Sequence, residues 1–239
     1  MLSIENDPMG QAISNYFFHA DQSPILVNTN ITEGEELSIS HLFRKFDSMP
    51  KLEKIALEMV SGKTLDVGAG AGAHSLYLQN NGFDITAIDV SMASCEVMSC
   101  RGINKVQCID IWAFESDSFD TILFMMNGIG LAKNLGGLEH LLLRIRKMIN
   151  INGQVLLDSS DVKYMFENDD GSLWIDLHKD YYGDLDYSIG YKDMLTSSFP
   201  WLFVGYDILK DVAIKSGWNV EHIYQDDHHH FLARLTLNS

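Results

Sequence analysis

The chain has 239 residues, 46% of them hydrophobic, and a formal net charge of −16. That length suits one large α/β domain with a modest cap, and that apolar content excludes global disorder. The acid excess disfavours non-specific binding to DNA or RNA, which needs Lys and Arg to neutralise phosphate, and no Lys/Arg cluster stands out. We read the charge as a solubility feature.

The first residues, MLSIENDPMG, are polar and acidic, without a basic start or an apolar run, so no signal peptide is expected. Ile13 to Phe18 is predicted as a short helix, and Asn28 to Glu36 as polar and turn-like. Ser40–Met49 and Leu52–Met59 read as helices separated by Pro50. In the second, Leu52, Ile55, Ala56 and Met59 recur at helical spacing. Residues 1–60 are therefore expected to form a helical cap, followed by a single domain over 61–239.

From Thr64 the pattern alternates. Strands are predicted at Thr64–Val67, Asp84–Asp89, Lys105–Cys108, Phe119–Met125 and Gln154–Asp158. Helices are predicted at His74–Asn80, Met92–Cys100 and Gly137–Ile149, with a turn at Asn152–Gly153. Repeated β-α units imply parallel strands joined by right-handed crossovers. After Asp158 the rhythm breaks. Asp161–Phe166 and Leu173–His178 read as helical turns. Tyr187–Lys192 and Trp201–Tyr206 read as an inserted hairpin within 179–206. A helix at Asp207–Ser216 and two closing antiparallel strands, Asn219–Tyr224 and Phe231–Leu237, complete the chain.

Between Val67 and Ser75 the glycines Gly68, Gly70 and Gly72 alternate with alanines. A strand, a glycine turn and a helix form a nucleotide-type site: glycines admit a close ligand, and the helix start offers unpaired N–H donors. The glycines also satisfy a dinucleotide fingerprint if Ala73 is counted as its third small residue. Asp89 ends the second strand, about 20 residues on, where a carboxylate accepts ribose hydroxyls in either kind of site.

TLDVGAGAG followed by ITAIDVS resembles the class I (Rossmann-like) S-adenosylmethionine-dependent methyltransferases. The resemblance implies a doubly wound, mostly parallel α/β sheet of seven strands with an antiparallel last strand, and S-adenosylmethionine as cofactor. It covers about residues 60–160 by motif and 207–237 by pattern. Asp66, two residues before Gly68, matches the family's acid that helps hold the cationic methionine portion. By the same resemblance Asp89, with Val90 beside it, takes the ribose. Asp110 receives the adenine amino group, Ile111 flanks the ring, and a carbonyl near Met126 and Asn127 meets the cofactor's amino group. Arg44, in the cap, is read as a partner for the cofactor carboxylate or as a surface cation, and His74 as a pocket residue or a helix cap. The sequence is similar to an uncharacterised bacterial branch in which MNGIG recurs.

FMMNGIG lacks the Asn/Asp-Pro-Pro-aromatic signature of many methyltransferases acting on nucleic acid or protein amino groups. That departure and the charge point to a small-molecule acceptor, with no nucleic-acid or membrane partner. Asn127 is a catalytic candidate as a donor to the acceptor; its other reading is a bend after the strand. Asp158 follows as a group that orients or deprotonates the acceptor, at the sheet edge where open α/β folds bind ligands. Tyr181, Tyr182, Tyr191, Trp201 and Tyr206 are read either as pocket walls or as the insertion's own core.

The three cysteines, Cys95, Cys100 and Cys108, include no Cys-x-x-Cys pair and are read as reduced thiols. His228, His229 and His230 are read as a turn entering a strand, because adjacent strand residues point to opposite faces and chelate poorly; no metal is expected. No apolar run approaches the roughly 20 residues of a membrane span, and a cytoplasmic location is expected. Two other functions compete: an NAD(P)-dependent oxidoreductase, which needs only the glycines and Asp89, and a non-catalytic cofactor-binding module.

Overall fold

The computed structural model describes residues 7–116, 118–167, 172 and 181–238. Its centre is a seven-stranded sheet built from β3 (Thr64–Val67), β4 (Ile85–Asp89), β5 (Val106–Cys108), β6 (Phe119–Phe124), β7 (Ile149–Ser160), β11 (Trp218–Gln225) and β12 (His230–Leu237). The spatial order is β11-β12-β7-β6-β3-β4-β5. Neighbours from β7 to β5 are parallel, and β12 is antiparallel to both β7 and β11. This is the Rossmann-like architecture expected from the motifs.

The sheet is doubly wound because its central strands are apolar on both faces. Phe124 and Leu157 point into a core with α5 (Leu135–Ile145) and α6 (Tyr206–Lys215). Their neighbours Leu123 and Leu156 point the other way, onto α2 (Lys51–Glu58) and α3 (Ala73–Asn80). Helix α4 (Met92–Cys100) matches its predicted span and packs through Cys95 and Met98 on Ala87 of β4.

The N-terminal cap departs from a purely helical one. Helix α1 (Pro8–His19) is followed by β1 (Ile25–Thr29) and β2 (Glu35–Leu37), where the sequence suggested only a polar turn. Strand β1 pairs with β8 (Asp184–Tyr191), which also pairs with β9 (Met194–Leu195) and β10 (Phe199–Leu202). The result is a separate five-stranded antiparallel sheet, made from the cap and the insertion together. The partner of Ile25–Thr29 lies some 160 residues away in the chain, as the Asn28 to Ser188 side-chain bond shows, so local pattern does not reveal the pairing. Ile13 of α1, Ile25 and Tyr191 close the space between this sheet and Val97 of α4.

Other boundaries shift for local reasons. Ser40–Met49 is two short 3-10 turns, Ile39–Phe43 and Phe46–Ser48, parted by extended backbone at Arg44. Asn152 and Gly153 lie inside β7, at an irregularity opposite Phe119–Thr121, and not in a turn. Helix α5 ends at Ile145, where the sequence suggested Ile149. The inserted strand stops at Leu202, and Tyr206 begins α6 with Gly205 as its cap. The helical turn expected at 173–178 falls outside the described residues, while Val162–Phe166 is a 3-10 turn. No helix among the described residues is long and apolar enough to cross a membrane.

Candidate functional site

The carboxyl ends of β3, β4, β6 and β7 converge on the glycine turn. Gly68, Gly70 and Gly72 have φ of +69°, +56° and +76°, the left-handed region that disfavours residues with a Cβ. Their surroundings differ. A Cβ on Gly70 would meet nothing within 4 Å, and one on Gly68 only Leu131 Cδ1 at 4.0 Å. A Cβ on Gly72 would strike Ile103 at 2.4 Å and Met98 at 2.9 Å. So Gly68 and Gly70 border open space, and Gly72 lets α3 seat against α4.

Asp89 holds this turn in shape. Its Oδ2 accepts from Gly70 N at 2.8 Å, and its Oδ1 from Ser91 N at 2.9 Å. Burial raises its carboxyl above the ordinary value, and these amide contacts counteract only part of that. A carboxylate accepts about four hydrogen bonds, so capacity remains for two hydroxyls. Ser91 also donates to Asp7 Oδ2 at 2.5 Å, which ties α1 to the same loop. Val90, beside Asp89, is half-buried, and its carbonyl accepts from Cys108 Sγ at 3.6 Å.

Asp66 is 2% exposed, and Ser75 Oγ donates to its Oδ2 at 2.6 Å. Through that bond it fixes the first turn of α3. Burial pushes its carboxyl up, opposed by His74 and Ser75. Arg44 and His74 come together through a residue the sequence reading did not name. Glu53 Oε2 accepts from Arg44 Nε at 3.0 Å, Arg44 Nη2 at 2.5 Å and His74 Nε2 at 2.9 Å. A carboxylate only accepts, so Nε2 of His74 carries its proton here. Burial works to raise the Glu53 carboxyl, but His74 and Arg44 outweigh it and hold it below the usual value. Neither Arg44 nor His74 is a surface residue, since they are 8% and 6% exposed. The signal for Glu53 was a carboxylate sharing a helix face with Ala56 and Leu57, both buried.

Beyond β5, Asp110 is exposed, and its Oδ1 accepts from Trp112 N at 2.9 Å. Ile111 is 3% exposed and belongs to the main core. Trp112, at 37%, is the accessible side chain there.

After β6 the backbone turns left-handed at two non-glycine residues, Met126 (φ +59°) and Asn127 (φ +55°). Such positions cost roughly 1–2 kcal/mol each and persist where surrounding contacts enforce them. Asp158 Oδ2 accepts from Asn127 N at 3.0 Å. Ser159 Oγ donates to Asn127 Oδ1 at 2.7 Å, and Asn127 Nδ2 donates to Leu202 O at 3.1 Å. The side chain of Asn127 thus bonds at both ends and holds the insertion against β7, and its backbone turns the chain, which fits the bend after the strand and not a donor to the acceptor. Met126, by contrast, is 37% exposed. Asp158 Oδ1 is sealed from solvent with no hydrogen-bond partner. Burial is the main cause that lifts this carboxyl to about 7; nearby Glu53 raises it further, while His74 and the amides of Asn127 and Met126 oppose.

The aromatics of the insertion divide. Trp201 lies on the loop after β6, where a Cβ on Gly130 would come within 2.1 Å of its indole nitrogen. Tyr191 sits in the core between α1 and the second sheet, Tyr181 in the main core, and Tyr206 against Phe231 and His222. Tyr182 donates to Asp161 Oδ1 at 2.8 Å, and Asp161 also caps the turn at Val162.

A model of the family described as "Tellurite resistance protein TehB" matches residues 45–128. The fold superposes on a SAM-dependent methyltransferase from Bacteroides fragilis, solved in complex with S-adenosyl-L-homocysteine, with a TM-score of 0.93. Identity is 36%, over 100% of this chain and 98% of that one. The chain belongs to the S-adenosylmethionine-dependent methyltransferases. The methyltransferase also shares its fold with an S-adenosylmethionine-dependent methyltransferase from Clostridium acetobutylicum (TM-score 0.58, 11% identity, 78% of this chain and 88% of that one). A second such neighbour is the sugar N-methyltransferase KedS8 from Streptoalloteichus (0.56, 14%, 87% and 96%). No curated protein matches it. Membership makes the methyltransferase an enzyme whose donor is S-adenosylmethionine, and the dinucleotide-oxidoreductase alternative falls with it.

Proposed function

We propose that this methyltransferase modifies a small molecule in the cytoplasm, at the carboxyl edge of the large sheet beneath the second sheet. The observation that carries the cofactor placement is the open glycine turn held by Asp89. Gly68 and Gly70 leave a cradle, and Asp89 borders it with spare acceptor capacity. In this reading Asp89 takes the ribose hydroxyls and Val90 lies along the sugar. Asp110 receives the adenine amino group, with Ile111 and Trp112 beside the ring. The carbonyl of Met126 meets the α-ammonium, and Asp66 adds negative charge behind it. Arg44 spends N–H groups on Glu53 and on the His41 carbonyl and keeps others, which in this reading meet the cofactor carboxylate, with Glu53 fixing its orientation.

When bound, S-adenosylmethionine supplies an activated methyl carbon with sulfur as leaving group. The protein's work is then to position the acceptor, which contributes up to about 7–11 kcal/mol in favourable cases. In this reading Asp158 handles a proton, because it lies near the carboxyl end of β7 with one carboxylate oxygen unpartnered. A small acceptor is supported by the net charge of −16 and by the second sheet, which packs on the edge through Trp201.

Calorimetry with S-adenosylhomocysteine tests the cofactor placement. Wild-type protein is expected to bind, and Asp89→Ala to lose on the order of 100-fold or more, as two hydrogen bonds to a charged acceptor disappear. Unchanged affinity in Asp89→Ala would overturn the placement. Labelled methyl transfer into small-molecule, protein and nucleic-acid fractions of a cell extract tests the acceptor class. Label confined to the macromolecular fractions would overturn the small-molecule reading.

A further inference from the structure

Asp158 carries an imbalance that the rest of the site does not resolve. Its Oδ2 is used on the Asn127 amide, but its Oδ1 is buried without a donor. Leaving a charged acceptor in that state costs a few kcal/mol, so the position calls for a donor from outside the chain.

The neighbourhood says what kind. From α2 comes Glu53, and from α3 His74; the loop after β6 offers only the amides of Met126 and Asn127. Across the pairing with β12 the opposite residue is the apolar Leu232. Asp66 feels the charge of His74 as well, so three carboxyl groups, Asp66, Glu53 and Asp158, act electrostatically on one imidazole, which Glu53 contacts directly. The permanent cation there, Arg44, sits on Glu53. The cluster gathers three carboxyl groups and has one acceptor to spare.

We infer that the methyl acceptor is an amine that arrives as an ammonium ion, and that Asp158 Oδ1 takes first its hydrogen bond and then its proton. The inference rests on the small-molecule reading above and sharpens it. A hydroxyl satisfies the orphaned oxygen but brings no charge, whereas an ammonium supplies both. An ammonium nitrogen has no lone pair. Passing one proton to Oδ1 leaves a neutral amine and a neutral carboxyl, and frees the N–H pair on nitrogen. That pair forms the new N–C bond while the S–C bonding pair stays on sulfur, giving a methylated ammonium and a neutral thioether. A base is most effective when its protonation balances near the working pH, and this carboxyl lies at about 7.

The test uses the full chain saturated with S-adenosylhomocysteine. The Asp158 carboxyl carbon is assigned in a ¹³C spectrum by its loss in Asp158→Asn. It is then titrated in the presence of a panel of alkylamines and aminoalcohols and of their hydroxyl isosteres. We expect amines of the panel to bind and to lower the Asp158 midpoint by about one unit or more, through a cation held beside the anion. The isosteres are expected not to do so. Asp158→Asn should bind S-adenosylhomocysteine within about twofold of wild type and lose the amine by about tenfold or more. With S-adenosylmethionine the same amines should be methylated, with a kcat/KM that rises with pH through about 7 in wild type. A loss of S-adenosylhomocysteine affinity beyond about tenfold in Asp158→Asn would give Oδ1 to the cofactor's own ammonium and overturn the inference. An equal response to isosteres, or none to any amine, would also overturn it. Absence of S-adenosylhomocysteine binding to wild type would instead overturn the reading beneath it. The wild-type titration stands even if the variant folds poorly.

Discussion

Arg44 and His74, thirty residues apart in the chain, donate to the same oxygen, Glu53 Oε2. The contact joins the cap to the helix that follows the glycine turn, so it couples the fold of residues 1–60 to that turn. Removing the carboxylate leaves a buried guanidinium without its counter-ion, a change that costs about 3–5 kcal/mol in comparable settings. Glu53→Ala is therefore expected to lower the melting temperature sharply at neutral pH and to weaken S-adenosylhomocysteine binding through a displaced Arg44. Glu53→Gln should lose less, because a neutral oxygen still accepts. The pH dependence follows from the lowered folded value. The carboxylate's stabilisation is complete above its unfolded value of 4.5 and fades as pH falls through the folded one. The melting gap between wild type and Glu53→Gln should close as acid is added. A gap that stays constant would show that the charge on Glu53 is not what holds the cluster.

Gly70 and Gly72 are alike in sequence and in positive φ, yet the structure separates them. Alanine at either position strains the backbone by roughly 1–2 kcal/mol. At Gly70 the new methyl enters open space on the cradle side, while at Gly72 it strikes Ile103 and Met98. Gly70→Ala is expected to lose S-adenosylhomocysteine affinity by more than its modest loss of stability explains. Gly72→Ala should be the less stable protein, with α3 displaced from α4. Calorimetry and thermal melting of the two variants, side by side, check both. The reverse ranking would mean that the cradle lies on the other side of the turn.

Asn127 offers a different contrast, between its backbone and its amide. Asn is among the residues that tolerate φ near +55°, and its amide bridges Ser159 and Leu202. Asn127→Gly relieves the backbone and loses the bridge; Asn127→Ala loses the bridge and adds strain. Each lost buried hydrogen bond costs about 1 kcal/mol, and strain adds about as much again. The expected order of stability is wild type, then Gly, then Ala. The insertion should loosen in both variants, seen as faster amide exchange at Val204, whose N–H donates to Ser159 Oγ. Wild-type exchange at Val204 in Asn127→Ala would rule out the bridge as the tie.

These residues also show which parts of the molecule were legible in the chain. Strand, glycine turn and helix lie within Thr64–Asn80, so their pattern is local and periodicity reveals it. Asp89 ends β4 and Asp158 lies near the end of β7, and the apolar runs of both strands are equally local. The second sheet is different. Ile25–Thr29 acquires its partner from Tyr187–Gly190, and a five-residue strand without that partner reads as a polar linker. Arg44 and His74 stood out singly as a cation and a helix-start imidazole, but their meeting point is a third residue. Glu53 on a face with Ala56 and Leu57 was the available clue, since a carboxylate in an apolar stripe is buried only when paired. At Asn127 the sequence leaves a donor to the acceptor and a bend both open, because both of its amide partners arrive from elsewhere, Ser159 from β7 and Leu202 from β10. Pairing across distant segments is set by topology, which composition and spacing do not encode.

Asp158 makes the last prediction, one that needs no substrate. Its carboxyl titrates at 3.8 when unperturbed and at about 7 in the fold. Below pH 3.8 both folded and unfolded chains hold the proton, and Asp158 contributes no pH dependence. Between the two values the native state keeps a proton that the unfolded chain has released. Stability from this group is therefore present in acid and is lost as pH rises through about 7, above which both states are ionised. Asp66 and Asp89 are also raised by burial and act in the same direction, so the wild-type curve alone does not isolate Asp158. Asp158→Asn does, because it removes the ionisation and keeps an oxygen for the Asn127 amide. Relative to wild type, this variant should gain stability between about pH 4 and 7, by an amount on the order of 4 kcal/mol. Denaturant unfolding of both proteins at several pH values measures it directly. Curves that run parallel across that interval would show that Asp158 is already ionised at low pH and is not the proton carrier of the site.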